Sequence, residues 1–178
     1  MMIGDAYDIP TVALRFFNVY GPCQALSNPY TGVLAIFASR LLNDRRPMIF
    51  EDGEQRRDFV SVHDIATACS LALRAGSARG RVLNIGSGRS LSVLEVAREM
   101  AHALGIDEIE PEITGKYRTG DIRHCFADIS RAEAVLGYRP QVTLGEGLEM
   151  LVDWMLGQRA FDRVDAASQE LARRGLQR

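Results

Sequence analysis

The residues best suited to chemistry in this chain bind negative charge; none stands out as a nucleophile. Arg57 lies in Gly53-Glu-Gln-Arg-Arg57-Asp58-Phe59, at the entrance to an apolar run. Its planar fork can make two parallel charge-assisted bonds to a diphosphate. The adjacent Asp58 could equally turn it into a surface ion pair of little energetic weight. Arg118 and Asp121 flank Thr-Gly in Arg118-Thr-Gly-Asp121, and a guanidinium and a carboxylate so placed could hold a phosphate and a ribose diol. Asn18 ends the run Leu14-Arg-Phe-Phe17 and precedes the turn Tyr20-Gly-Pro22. At the C-terminal edge of an α/β sheet, an asparagine can donate and accept toward a sugar hydroxyl or a phosphate oxygen. It can also hold the backbone of its own loop.

Gly86-Ser-Gly88 invites comparison with a dinucleotide-binding fingerprint, but Leu91 stands where the third glycine belongs. No βαβ unit surrounds it in the required order. A tight strand-to-helix turn is the expectation. Cys23, Cys69 and Cys125 form no CxxC pair, and a scattered, odd set suits a reducing compartment. His63, His102 and His124 show no ligand spacing with them, so no structural metal is expected.

The elements that must position these residues alternate between strand-like and helix-like patterns, the signature of an α/β domain. Thr11–Phe17 reads as a strand, followed by a long loop from Asn18 to Gly32, and a helix is expected over Val33–Leu42. Met48–Phe50 and Asp58–Val62 read as strands joined through Glu51-Asp-Gly-Glu54, an arrangement that suggests a hairpin. Ile65, Cys69 and Leu73 mark one face of a further helix, and Arg81–Ile85 is another strand. Ser92, Ser130 and Thr143 are each followed three residues later by glutamate, which predicts three capping boxes. Thr11–Phe17 is apolar on both faces apart from Arg15, as an interior strand of a parallel sheet would be.

The 178 residues suit one domain, with a hydrophobic content of 47% and a charged content of 25%. A net charge of −2 and a pI near 5.9 argue against a general nucleic-acid binder. Lys116 is the only lysine, so the basic side chains are almost all arginine, whose fork suits phosphate. No apolar run reaches the ~20 residues of a membrane span, and the opening lacks the order of a signal peptide. A cytoplasmic protein is expected.

In order along the chain stand L-R-x-F-N-V-Y-G-P, D-G-x-x-x-R-D-F-V-x-V-x-D-I-A, N-I-G-S-G with S-V-x-E, R-x-G-D, A-D-x-S-R-A and L-G-Y-x-P. This series resembles the C-terminal part of the extended short-chain dehydrogenase family, in particular the NAD-dependent nucleotide-sugar 4-epimerases and 4,6-dehydratases. The stretch Tyr20–Val33 is most similar to UDP-glucose and dTDP-L-rhamnose 4-epimerases. The resemblance covers about residues 1–157 and leaves 158–178 as a peripheral helix or tail.

The resemblance implies a fold: the last strands of a Rossmann-type parallel sheet, then a small α/β substrate-binding domain. It also implies roles. Asn18 contacts a sugar diphosphate, and Phe17 lies beside the nicotinamide of NAD. Gly32 and Val33 open a helix that approaches the nucleotide, and the base packs on Met48, Ile49 and Phe50. Arg57 and Arg118 hold the diphosphate, and Asp121 lies near the ribose. The implied partner is a nucleotide-diphosphate sugar, with a homo-oligomer for the complete enzyme. The implied reaction is inversion at the sugar C4, by hydride transfer to NAD⁺ and back to the opposite face.

The chain also departs from the family. It has neither a glycine-rich NAD loop nor a Tyr-x-x-x-Lys acid/base pair, since Lys116 precedes Tyr117. A truncated chain beginning just after that pair, inactive alone, is therefore expected. A part of a 4,6-dehydratase, a non-catalytic binding module and a subunit of a split enzyme are the alternatives.

Overall fold

A computed structural model describes residues 1–25, 32–117, 119–157 and 173. The chain opens with a short helix α1 (Met2–Ala6), strands β1 (Ala13–Phe16) and β2 (Asn18–Tyr20), and helix α2 (Val33–Leu41). Strands β3 (Met48–Ile49), β4 (Arg56–Arg57) and β5 (Phe59–Ser61) follow, then helix α3 (Val62–Arg74) and a 3₁₀ turn at Gly76–Ala78. Next come β6 (Val82–Ile85), β7 (Leu91–Ser92), α4 (Val93–Leu104), β8 (Glu112–Ile113) and β9 (His124–Cys125). Helices α5 (Ser130–Leu136) and α6 (Leu144–Leu156) complete the order. The tail expected over 158–178 lies outside the described residues except for residue 173.

Most strand pairs are parallel, as an α/β reading requires. β1 runs beside β6 with Leu14 opposite Leu83 and Phe16 opposite Ile85. β2 runs beside β5 with Asn18 opposite Phe59. β3 pairs with β8, and β4 lies between antiparallel β7 and parallel β9. Side chains alternate across a strand, and β5 uses this to divide the interior. Phe59 packs with Leu34, Phe37 and Leu41 of α2, Val96 and Met100 of α4, and Leu148 and Leu151 of α6. Val60 faces the other way, into a second core of Leu83, Ile85, Ala68, Leu136 and Tyr138.

Several expectations are corrected here. The loop expected from Asn18 begins as a strand, because the β5 backbone supplies its partners. The hairpin expected around Asp52-Gly53 does not form: β3 is paired by β8 and β5 by β2, with β4 between them in sequence paired by β7 and β9. On α3 the buried stripe is Ile65, Ala68 and Ala72, while Leu73 is 88% exposed. An eight-residue step overshoots two helical turns by most of a side-chain width. The capping boxes at Ser92 and Thr143 are complete. Ser130 instead lies inside α5, where its N–H donates to the Asp128 carboxylate at 3.0 Å.

Candidate functional site

Strands β2 and β5 bring two of the expected residues together. Asn18 donates its backbone N–H to the Asp58 carbonyl at 3.0 Å, which places it beside the residue that follows Arg57. Its side chain is half-buried and makes no hydrogen bond among the described residues, so the loop-holding role has no support there. Phe17, also half-buried, is fixed by its N–H to the Ile85 carbonyl at 3.2 Å.

Arg56 and Arg57 are adjacent on β4 and point to opposite sides. The Arg56 fork is consumed within the protein: Nε donates to the Ser90 hydroxyl and Nη2 to the Ser90 carbonyl, both at 2.7 Å. Arg57 is held by Nη1 alone, which donates to the carbonyls of Arg56 at 2.9 Å and Arg123 at 2.8 Å. Among the described residues its Nε and Nη2 have no partner. That edge is the one that makes bidentate bonds to phosphate oxygens.

The Arg57–Asp58 ion pair considered from sequence is not made. Asp58 is completely buried and turned to the end of β6. One carboxylate oxygen accepts from the Ser87 N–H at 2.7 Å and the Ser87 hydroxyl at 2.8 Å. The other accepts from the Gly88 N–H at 3.0 Å and the Ala127 N–H at 3.3 Å. A Cβ on Gly86 would fall 2.6 Å from both the Ala127 Cβ and this carboxylate, so glycine is required there. The backbone donors of Ser87 and Gly88 are thus occupied by a negative charge of the protein itself. The turn is structural, as expected, and does not fit the pyrophosphate of a dinucleotide.

The turn from Ile49 to Gln55 borders Arg57. Gln55 Nε2 closes it by donating to the Phe50 carbonyl at 2.7 Å, and Glu51 and Gly53 adopt φ of 52° and 84°. Helix α4 is seated on this turn, its first N–H groups donating to Gln55 and Gly53 carbonyls at 2.9 and 3.1 Å. Asp52 is held well down, at about 2, chiefly by hydrogen bonds from Arg123 and then by the Glu54 N–H. Of the three residues expected against a base, Ile49 is in the core, 1% exposed, while Met48 and Phe50 are half-buried.

Gly32 is exposed at the N-terminus of α2, with Val33 half-buried as the first helical residue. Asp121 is exposed on the segment leading into β9. Arg118 lies outside the described residues. Sequence reasoning missed Arg123 and the Asp58 anchor; the signal for the latter was a carboxylate at the start of the apolar run Phe59-Val60 and a distant Gly-x-Gly. Among the described residues there is no cluster that could hold a metal, and no helix long and apolar enough to cross a membrane.

Comparison with known proteins gives a consistent result. The model of the NAD dependent epimerase/dehydratase family matches residues 2–86. The chain is 41% identical over 147 residues to dTDP-L-rhamnose 4-epimerase of Burkholderia thailandensis, covering 82% of this chain and 40% of that one. It is similar to the structure of UDP-glucose 4-epimerase from Thermotoga maritima with UDP-glucose, with a TM-score of 0.80 and 36% identity over 87% of this chain and 48% of that one. It also resembles UDP-glucose 4-epimerase of Thermus thermophilus in complex with NAD, with a TM-score of 0.75 and 33% identity over 89% and 50%. The chain spans about half the length of the proteins it matches.

Proposed function

The chain is a relative of the NAD-dependent epimerase/dehydratase family over most of its length, and we propose that it forms the nucleotide-sugar-binding part of a sugar-nucleotide 4-epimerase. Residues 1–157 would be the C-terminal, substrate-binding portion. The observation that carries this reading is the Arg57 guanidinium, pinned by Nη1 to two carbonyls with its Nε/Nη2 edge left open among the described residues, one residue before the Asp58 carbonyl that accepts from the Asn18 N–H. Such an edge favours a diphosphate over a single neutral group. Asn18 would add a donor or acceptor to the same ligand, and Met48 and Phe50 would offer apolar surface to a base. Arg118 and Asp121 are proposed for the second phosphate contact and the ribose. NAD supplies the hydride exchange in such enzymes when bound, and Phe17 would line its nicotinamide. The Gly86–Gly88 turn, filled by Asp58, contributes nothing to that cofactor's phosphates.

Two measurements test this. Incubated with NAD⁺ and UDP-galactose or dTDP-rhamnose, the purified chain alone should form no C4 epimer. Turnover of about 1 s⁻¹ or faster, ordinary for enzymes, would show that the chemistry needs nothing beyond this chain. In titration calorimetry UDP should bind more tightly than UMP. Arg57→Ala should weaken UDP by roughly 1.5–3 kcal/mol, the range for hydrogen bonds to charged groups. Equal loss for UDP and UMP would remove the diphosphate from the reading.

A further inference from the structure

We infer that Arg123 is a positioning residue for Arg57, aiming the open edge of its guanidinium through a clamp on the Glu51–Asp52 turn. The inference rests on the reading of Arg57 as the diphosphate contact. Arg123 works from both its ends. Its side chain is gripped by two carboxylates, with Nη1 donating to Glu51 at 2.8 Å and to Asp52 at 3.2 Å, and Nη2 donating to Asp52 at 2.8 Å. Its carbonyl accepts from the Arg56 N–H at 3.2 Å and from Arg57 Nη1 at 2.8 Å. The clamp therefore fixes the carbonyl, and the carbonyl fixes which way Arg57 presents its remaining donors.

The same turn holds the far end of the segment that leads to Arg123. Thr114 donates its N–H and its hydroxyl to the Ile49 carbonyl at 2.9 and 3.1 Å, and Glu51 donates its N–H to the Lys116 carbonyl at 2.7 Å. Ile49, Glu51 and Asp52 thus tie down the segment at 114–116 and again at 123. Arg123 is a poor phosphate ligand itself. Two carboxylates surround its guanidinium, and the cluster carries a net charge of about −1. Nor does the clamp contribute much stability. Its side chains are 46% (Arg123), 26% (Glu51) and 56% (Asp52) exposed, and exposed ion pairs are screened by solvent. What it provides is order in one long side chain before the ligand arrives.

The test uses two variants with opposite charge changes. Arg123→Met removes a positive charge, and Glu51→Gln/Asp52→Asn removes two negative ones. If the cluster acted on a diphosphate through space, the first would weaken UDP binding and the second would strengthen it. If it aims Arg57, both weaken UDP, by about 3- to 10-fold, the ordering cost of one long side chain. Neither should weaken UDP further when Arg57 is already alanine, and melting temperatures should stay close to wild type. Opposite signs in the two variants, no change in both, or an equal loss in the Arg57→Ala background would each overturn the inference. Failure of the diphosphate reading looks different: the wild-type chain then binds UDP no better than UMP. In that case the guanidinium resonance of Arg57, recorded by NMR without ligand, decides. A dispersed wild-type signal that moves to the free-arginine position in both variants supports positioning, and a signal indifferent to both overturns it.

Discussion

Asp58 lies between a side chain directed outward and one directed into the core, and its carboxylate accepts from Ser87, Gly88 and Ala127. It is fully buried and takes no cation as partner among the described residues, so hydrogen bonds alone compensate its charge. Asp58→Asn preserves the volume but turns an N–H pair toward donors that need an acceptor. The expected cost is about 2–3 kcal/mol, the penalty for buried donors left unmatched. It would appear as a lower urea midpoint with an unchanged m-value. An unchanged midpoint would mean that the carboxylate does not hold the turn. Arg56 and Arg57 show the same dependence on surroundings. Adjacent and chemically identical, they differ because Ser90 fills one fork and two carbonyls touch only one corner of the other.

On helix α6, two glycines separated by a single residue sit in opposite environments. Gly145 is exposed, and an added Cβ would meet nothing within 4 Å. Gly147 is buried, and an added Cβ would collide with the Tyr20 ring and hydroxyl, its Cζ only 2.8 Å away. That hydroxyl lies 3.5 Å from the Leu144 carbonyl at the start of the helix. Gly145→Ala should stabilise by about 0.4–1 kcal/mol, because alanine has less backbone freedom to lose. Gly147→Ala should destabilise by about 1–3 kcal/mol through overpacking. Thermal melts of the two single variants would separate these effects, and a stabilised Gly147→Ala would show that Tyr20 is not packed against that glycine. The capping boxes of α4 and α6 were legible because a cap is a local pattern of four residues. The Ser130 pattern failed because Asp128 competes for the same backbone donor.

At the scale of the whole molecule, the β1 sheet is open. β1 pairs with β6 on one edge and with no strand on the other among the described residues. Phe16 is 46% exposed, Val19 37%, and Met2, Ile3 and Tyr7 of the first helix and its cap are 87%, 72% and 75% exposed. An edge strand with unpaired N–H and C=O groups beside apolar side chains is a template for association. The isolated chain should elute larger than a monomer or bind a hydrophobic dye strongly. A dye-negative monomer that melts cooperatively would contradict this and favour a stand-alone binding module.

The amino-acid order by itself determined the α/β class, the helices α2, α4 and α6, two of three caps and the candidate residues Asn18 and Arg57. Each of these is written in periods of two to four residues or in a local motif. Only the tertiary structure decided that Met48–Ile49 and Arg56–Ser61 seek distant partners and form no hairpin. It alone decided that Asp58 turns inward to a loop 29 residues away, and that Arg123 reaches Glu51 across 72. The physical reason is the same throughout. A buried backbone group or charge must find a partner, and which partner lies within reach depends on how the strands are brought together, which no local spacing records.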